Sequence, residues 1–441
     1  MELTKGAKLL IKTLNDHGYE AYAVGGFVRD NLLGNPLFDV DVTTSATPEQ
    51  TLEVFKDFKV YLTGLKHGTV TVNSLGENIE VTTFRVDGDY KDNRHPNTVK
   101  FVSSLNDDLL RRDFTVNAMA FDGENLIDLF GGKEDLENKI LRAVGNPSKR
   151  FEEDALRILR GLRFASVLDF EIEPETAKAM QEKAHLLKNV SVERIFIELT
   201  KMLLGKGVER VLLSFKDIIF TVIPELKACD GCDQNTKFHS FDVYEHTVKS
   251  VAISSKDKAV RWALLLHDIE KPSCYSVDAR GIGHFYGHQA KSAKTAVQIL
   301  KRFKADNKLI KLTNDLIYLH DIKTEISRGD IKRLLNNYGA ETLKKLALVK
   351  VGDGLAHAKE YAFERERLAL EFLNTVNSII DGGECYTLKD LAVNGNDLKG
   401  IGYFGQEIKT GLERALSLVI DGKVENEKGL ILERLKNERP S

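Results

Sequence analysis

Gly25-Gly26-Phe27-Val28-Arg29-Asp30, followed closely by Asp39-Val40-Asp41, is the stretch whose reading decides the fold. In an extended strand, residues two apart point to the same face, so both carboxylates reach one spot. Two carboxylates held that close repel unless a cation sits between them, and Mg²⁺ is the hard, oxygen-binding cation most used with phosphates. Gly25 and Gly26 let the backbone approach a triphosphate, and Arg29 offers it a charged fork. A bare Asp-x-Asp is an ordinary strand end; the surroundings change its meaning. Ala21-Tyr22-Ala23-Val24 reads as a strand entering the glycines, 28–33 as a helix, and 38–42 as a strand with its acids on one side. That frame suits metal-assisted nucleotidyl transfer.

Working outward, Lys5–His17 reads as a helix, and Gly68–Val72 and Ile79–Phe84 as neighbouring β-branched strands. After Glu152 the period turns helical, with helices expected over Glu152–Val167, Glu175–Leu187, Val192–Leu204 and Gly207–Phe215. A chain of 441 residues exceeds one ordinary core. The expected division is 1–148, 149–225, 226–365 and 366–441: an α+β class, with a small mixed sheet first and helices thereafter. A formal net charge of −3 excludes a uniformly basic coat while leaving room for a local basic face. Four sparse cysteines point to a reducing compartment, with Cys229 and Cys232 a reduced loop pair. The chain shows no signal-peptide pattern and no apolar run long enough for a bilayer, so a cytoplasmic protein is expected.

Arg111-Arg112-Asp113 precedes the apolar run that contains Asn117, placing two guanidinium groups and a carboxylate where a triphosphate and a ribose hydroxyl would be met. Further on, Glu153-Asp154-Ala155-Leu156-Arg157 opens a helical stretch. As an isolated pair, Asp154 and Arg157 amount to an intrahelical ion pair of a few tenths of a kcal/mol. As a recognition pair they match cytosine and adenine, which both show an exocyclic amino donor beside a ring-nitrogen acceptor. Guanine and uracil show the reverse and would leave both side chains unsatisfied. Arg160 and Arg163 continue the stripe toward phosphates.

The motifs GGFVRD with DVD, Asp87–Pro96, RRDFTVNAMA, Leu129-Phe130-Gly131-Gly132 and EDALRILRGLRFA occur in this order over roughly residues 20 to 165. The chain thereby resembles bacterial CCA-adding enzymes, class II tRNA nucleotidyltransferases of the poly(A) polymerase superfamily. The resemblance implies a polymerase β-like nucleotidyltransferase head and a helical neck that holds the acceptor arm of tRNA. It implies that Asp39 and Asp41 bind Mg²⁺, with Glu80 as a third carboxylate. It further implies that Arg112 and Asp113 read the ribose, that Glu153, Asp154 and Arg157 act as a protein template for CTP and ATP, and that 87–97 is the loop switching between them. A-only or C-only addition and poly(A) synthesis share the fold and stay open here.

His246, His267-Asp268, His288, His320 and Asp353 form a second constellation, spread over separate expected helices. Imidazole with carboxylate suits Mn²⁺, Fe²⁺, Ni²⁺ or Zn²⁺. The order resembles the HD phosphohydrolase domain, which implies metal-dependent hydrolysis of RNA ends. Glu270 stands where that pattern has glycine. Spacing also places His284 on one helix face with His288. The sequence leaves the oligomeric state open.

Overall fold

The computed structural model describes residues 1–36, 39–62, 64–65, 68–87, 99–236 and 238–438. It divides into two compact units, Met1–Pro224 and Glu225–Ser441. The expected switching loop lies, beyond residue 87, outside the described residues, as does residue 38 of the expected acidic strand.

The first unit opens with the helix Lys5–Asp16, whose N-cap Thr4 accepts the Ala7 amide and whose buried stripe is Ala7, Leu10, Ile11 and Leu14. Its strands are β1 (Ala21–Val24), β2 (Asp41–Thr44), β3 (Lys59–Tyr61), β4 (Thr69–Ser74), β5 (Glu77–Thr83), β6 (Arg85–Asp87), β7 (Val99–Phe101), β8 (Met119–Phe121) and β9 (Leu126–Asp128). Seven of these form one sheet in the order β3-β4-β5-β2-β1-β8-β9, while β6 and β7 pair separately. The β2–β5 pair is parallel and its neighbours are antiparallel, giving the mixed sheet expected. The parallel register sets Asp41 opposite Glu80.

One expected helix is two. The stretch Glu152–Val167 splits into Pro147–Glu153 and Leu156–Leu168. Asp154 between them is extended (φ −137°, ψ 103°), and its carboxylate accepts the Leu156 amide. A short acidic side chain that satisfies a free amide offers the backbone an alternative to continuing the helix. Leu156–Leu168 packs against the helix Val192–Leu203.

Among the described residues, the second unit is helical apart from a short hairpin, Ser276–Val277 with Gly283–His284. His284 thus lies on a strand, and only His288 begins the helix His288–Arg302, which corrects the shared helix face expected from spacing. The helices Val243–Ile253, Lys258–Leu266, Asn307–Leu319 and Arg328–Leu355 pack on one another around a buried apolar core that includes Trp262, Leu264 and Leu346.

Candidate active site

In the head, Val40 and Val42 are buried while Asp39 and Asp41 are exposed, the alternation expected, although the strand itself starts at Asp41 rather than at residue 38. Although Asp41 is open to solvent, enough protein surrounds it to disfavour its charge. Burial first, then Glu80 and more weakly Asp39, push its carboxyl above the usual carboxylate range against the pull of Arg112. Glu80 and Asp39, which raise the proton affinity of Asp41, form with it a place for a cation, so the donor set fits a hard divalent ion.

Asp41 sits on a cleft of about 1110 Å³ lined by seven arginines and three lysines against four aspartates. Gly25, Gly26, Arg29, Arg111, Arg112, Asp113, Asn117, Asp154, Arg157, Arg160 and Arg163 all line it; Asp39, Glu80 and Glu153 do not. Gly25 has φ 71°, and a Cβ there would come within 3.3 Å of Arg112 Nη1, so the glycine keeps room for that guanidinium. Arg111 and Arg112 both donate to Asp108, a fully buried carboxylate that also accepts from the Thr43 hydroxyl. Burial alone would raise Asp108, but the two arginines hold it below the ordinary range.

A second chain of hydrogen bonds crosses the cleft. Arg29 Nη1 donates to Asn117 Oδ1 at 2.6 Å, Asn117 Nδ2 to Asp113 Oδ1 at 3.1 Å, and Arg160 Nε to Asp113 Oδ2 at 2.7 Å. Burial opposes the charge on Asp113, yet Arg160 and the Asn117 hydrogen bond bring its carboxyl down to about 2. The guanidinium groups of Arg29, Arg160 and Arg163 lie 5.2, 5.4 and 4.0 Å from the Phe164 ring centre. Arg163 also pairs with the buried Glu198 at 3.2 Å.

Asp154 and Arg157 do not pair with each other as helical spacing suggested. Arg157 donates to Glu153 Oε2 at 2.9 Å and to the Arg111 carbonyl at 2.7 Å, so Glu153 stands behind it and fixes its plane. Asp154 instead accepts from Arg194 Nη2 at 3.1 Å. Sequence reasoning missed Asp108, Arg194, Phe164 and Glu198. The acid–arginine spacing Asp108–Arg111–Arg112 was the one available signal.

In the second unit all six expected residues converge. His246 Nε2 lies 2.9 Å from Asp353 Oδ1, and His267 Nε2 lies 3.1 Å from Asp268 Oδ2. On the other side of Asp268, Oδ1 lies 3.3 Å from His288 Nε2 and 3.7 Å from His320 Nε2. Both Asp268 oxygens and His267 Nε2 are buried without a well-aligned hydrogen bond. Against the cost of burial, Asp268 and Asp353 push His267 up to about 10, so the pocket holds a proton where a cation would relieve it. The geometry fits a divalent metal. Glu270 has φ −102°, so no glycine is demanded there, and Lys271 Nζ reaches Asp268 at 2.7 Å and Gln234 at 2.8 Å. His239 and His357, which the sequence reading left out, stand beside His246, their ring centres 4.8 and 5.1 Å from its own. Among the described residues, ligand groups gathered within 4.8 Å occur only in this unit.

Comparison with known proteins matches residues 21–142 to the poly A polymerase head domain, and 169–229 to a probable RNA and SrmB-binding site of polymerase A. The CCA-adding enzyme of Enterococcus faecalis is 35% identical over 99% of this chain and 96% of its own length. The crystal structure of the Bacillus stearothermophilus CCA-adding enzyme in complex with CTP is 32% identical, covers 98% of this chain and 96% of its own, and superposes with a TM-score of 0.71. The Thermotoga maritima CCA-adding enzyme complexed with tRNA shares the fold at 22% identity, with a TM-score of 0.59 over 97% of this chain and 93% of its own.

Proposed function

This chain belongs to the CCA-adding enzyme family, and from that premise we propose that its head cleft adds C, C and A to the 3′ end of tRNA, using CTP and ATP without a nucleic-acid template. One observation carries the reading: Asp41, set opposite Glu80 by the parallel register, lines a cleft whose charge is mainly cationic. Asp39 and Asp41, with Glu80 as the third acid, would hold Mg²⁺, which when bound lowers the proton affinity of the tRNA 3′-hydroxyl and neutralises the pyrophosphate that leaves.

The side chains of this chain supply the rest. Arg111 and Arg112, held by Asp108, meet the triphosphate, while Asp113 and Asn117 meet the ribose. Asp154 accepts from the amino group of cytosine or adenine, and Arg157 donates to the adjacent ring nitrogen. The position of both on the cleft wall supports this template. Helices of residues 149–225 serve as the neck, holding the acceptor arm by shape and phosphate contact rather than by sequence. The free cysteines accord with a cytoplasmic enzyme.

Labelled CTP and ATP, offered separately and together to tRNA lacking its last three nucleotides, test the reading. Wild type extends by C, C and A, and Asp41→Ala incorporates neither. Incorporation of ATP alone onto a transcript ending in CC, with no use of CTP, would leave an A-only enzyme.

For residues 226–365 we infer an HD-type centre that holds Mn²⁺, Fe²⁺, Ni²⁺ or Zn²⁺ and hydrolyses phosphate esters at RNA ends, with 366–441 as a tail. The convergence of His246, His267, Asp268, His288, His320 and Asp353 supports it.

A further inference from the structure

Five histidines of the second unit share one feature. Nδ1 of His267, His288, His320 and His357 each lies 2.6–2.8 Å from a backbone carbonyl, and Nδ1 of His246 lies 3.3 Å from another. A carbonyl only accepts, so each Nδ1 donates there and leaves Nε2 as the nitrogen that can bind a metal once any proton on it has been displaced. His357 belongs to this set although it is outside the six-residue pattern. With His239 and His246 it forms a group with ligand nitrogens all within 4.8 Å of one another. The ring centres of His239 and His357 are 4.3 Å apart, and Nδ1 of His239 is buried with no partner.

One imidazole nitrogen has one lone pair, so His246 serves a single ion. If it is given to the outer group, His267, Asp268 and Asp353 remain for one inner position, and Asp268, His288 and His320 for the other. Every position then keeps three protein donors. We propose that His239, His246 and His357 form a third metal position, all-nitrogen and open to a further ligand, suited to a borderline transition metal such as Zn²⁺. The proposal rests on the reading of this unit as a metal centre.

The test is metal content of the full chain carrying Asp41→Ala to silence the head, stripped with a chelator, reloaded with Zn²⁺ and dialysed. Three equivalents are expected, falling to two in His239→Ala and in His357→Gln. Because His239 is only half-buried, its replacement leaves the core packed, and a Co²⁺ titration of the unsubstituted centre gives an independent count through the absorption step at the third equivalent. Two equivalents in all three proteins would overturn the third position and leave the two-metal reading standing. No retained ion in any of them would overturn both.

Discussion

Asp108 shows how much a site can depend on a carboxylate that never meets the substrate. It is fully buried, orients Arg111 and Arg112, and is written in the sequence as one acid of an ordinary amphipathic helix, Leu105–Leu110. Only its spacing from Arg111 and Arg112 marks it there, because its other partners, Thr43 and the Arg85 amide, come from distant strands. Removing one partner of a buried ionic cluster costs about 3 kcal/mol. Asp108→Asn is expected to lower stability by that order in urea unfolding. It is also expected to lower kcat/KM for CTP and ATP by the same factor, about tenfold, since phosphate contacts are common to both nucleotides. A changed CTP-to-ATP ratio would contradict the assignment. Asp113 yields a pH prediction. Its folded pKa is about 2, below the usual carboxylate value near 3.9, so its contribution is complete above that value and is lost as pH falls through about 2. The stability difference between wild type and Asp113→Asn should be about 2 kcal/mol at pH 7 and close to zero near pH 2, read from unfolding at each pH.

Local sequence rules placed most strands and helices because the apolar period is strong: the helix expected over Lys5–His17 spans Lys5–Asp16, while the strand expected over 38–42 begins only at Asp41. They failed where a side chain competes with the backbone, at Asp154, and where partners are remote, at Arg194. The break at Asp154 matters for the site, because it turns that carboxylate away from Arg157 and toward the helix Val192–Leu203. The seating of that helix depends on Gly205. A Cβ there would overlap the backbone of Ser166 in Leu156–Leu168, the helix that carries Arg157, Arg160 and Arg163. Overpacking against backbone cannot be relieved by a rotamer change, so Gly205→Ala should cost about 3 kcal/mol. Gly429, in the helix Lys428–Asn437, has nothing within 4 Å of its Cβ position, and Gly429→Ala should instead stabilise by about 0.5–1 kcal/mol. Urea midpoints of the two variants check both signs.

Each of the two proposed chemistries draws on side chains within one compact unit: the acids and arginines within Met1–Pro224, the histidine cluster within Glu225–Ser441. No side chain belongs to both, so the proposed activities should separate cleanly under substitution. Asp41→Ala removes a carboxylate from the head's cation place and should reduce CTP and ATP incorporation about a hundredfold or more, with release of phosphate from a 3′-phosphate RNA end unchanged. Asp268→Ala takes away the group that both halves of the histidine centre share, and should abolish that release while nucleotide incorporation stays within about twofold of wild type. Salt adds a control: ten of the 63 cationic side chains line the cleft against four aspartates, so salt should weaken tRNA use by the head more than hydrolysis of a short RNA end. Loss of both activities in either variant, with folding intact by circular dichroism, would mean that the two units are energetically one machine rather than two.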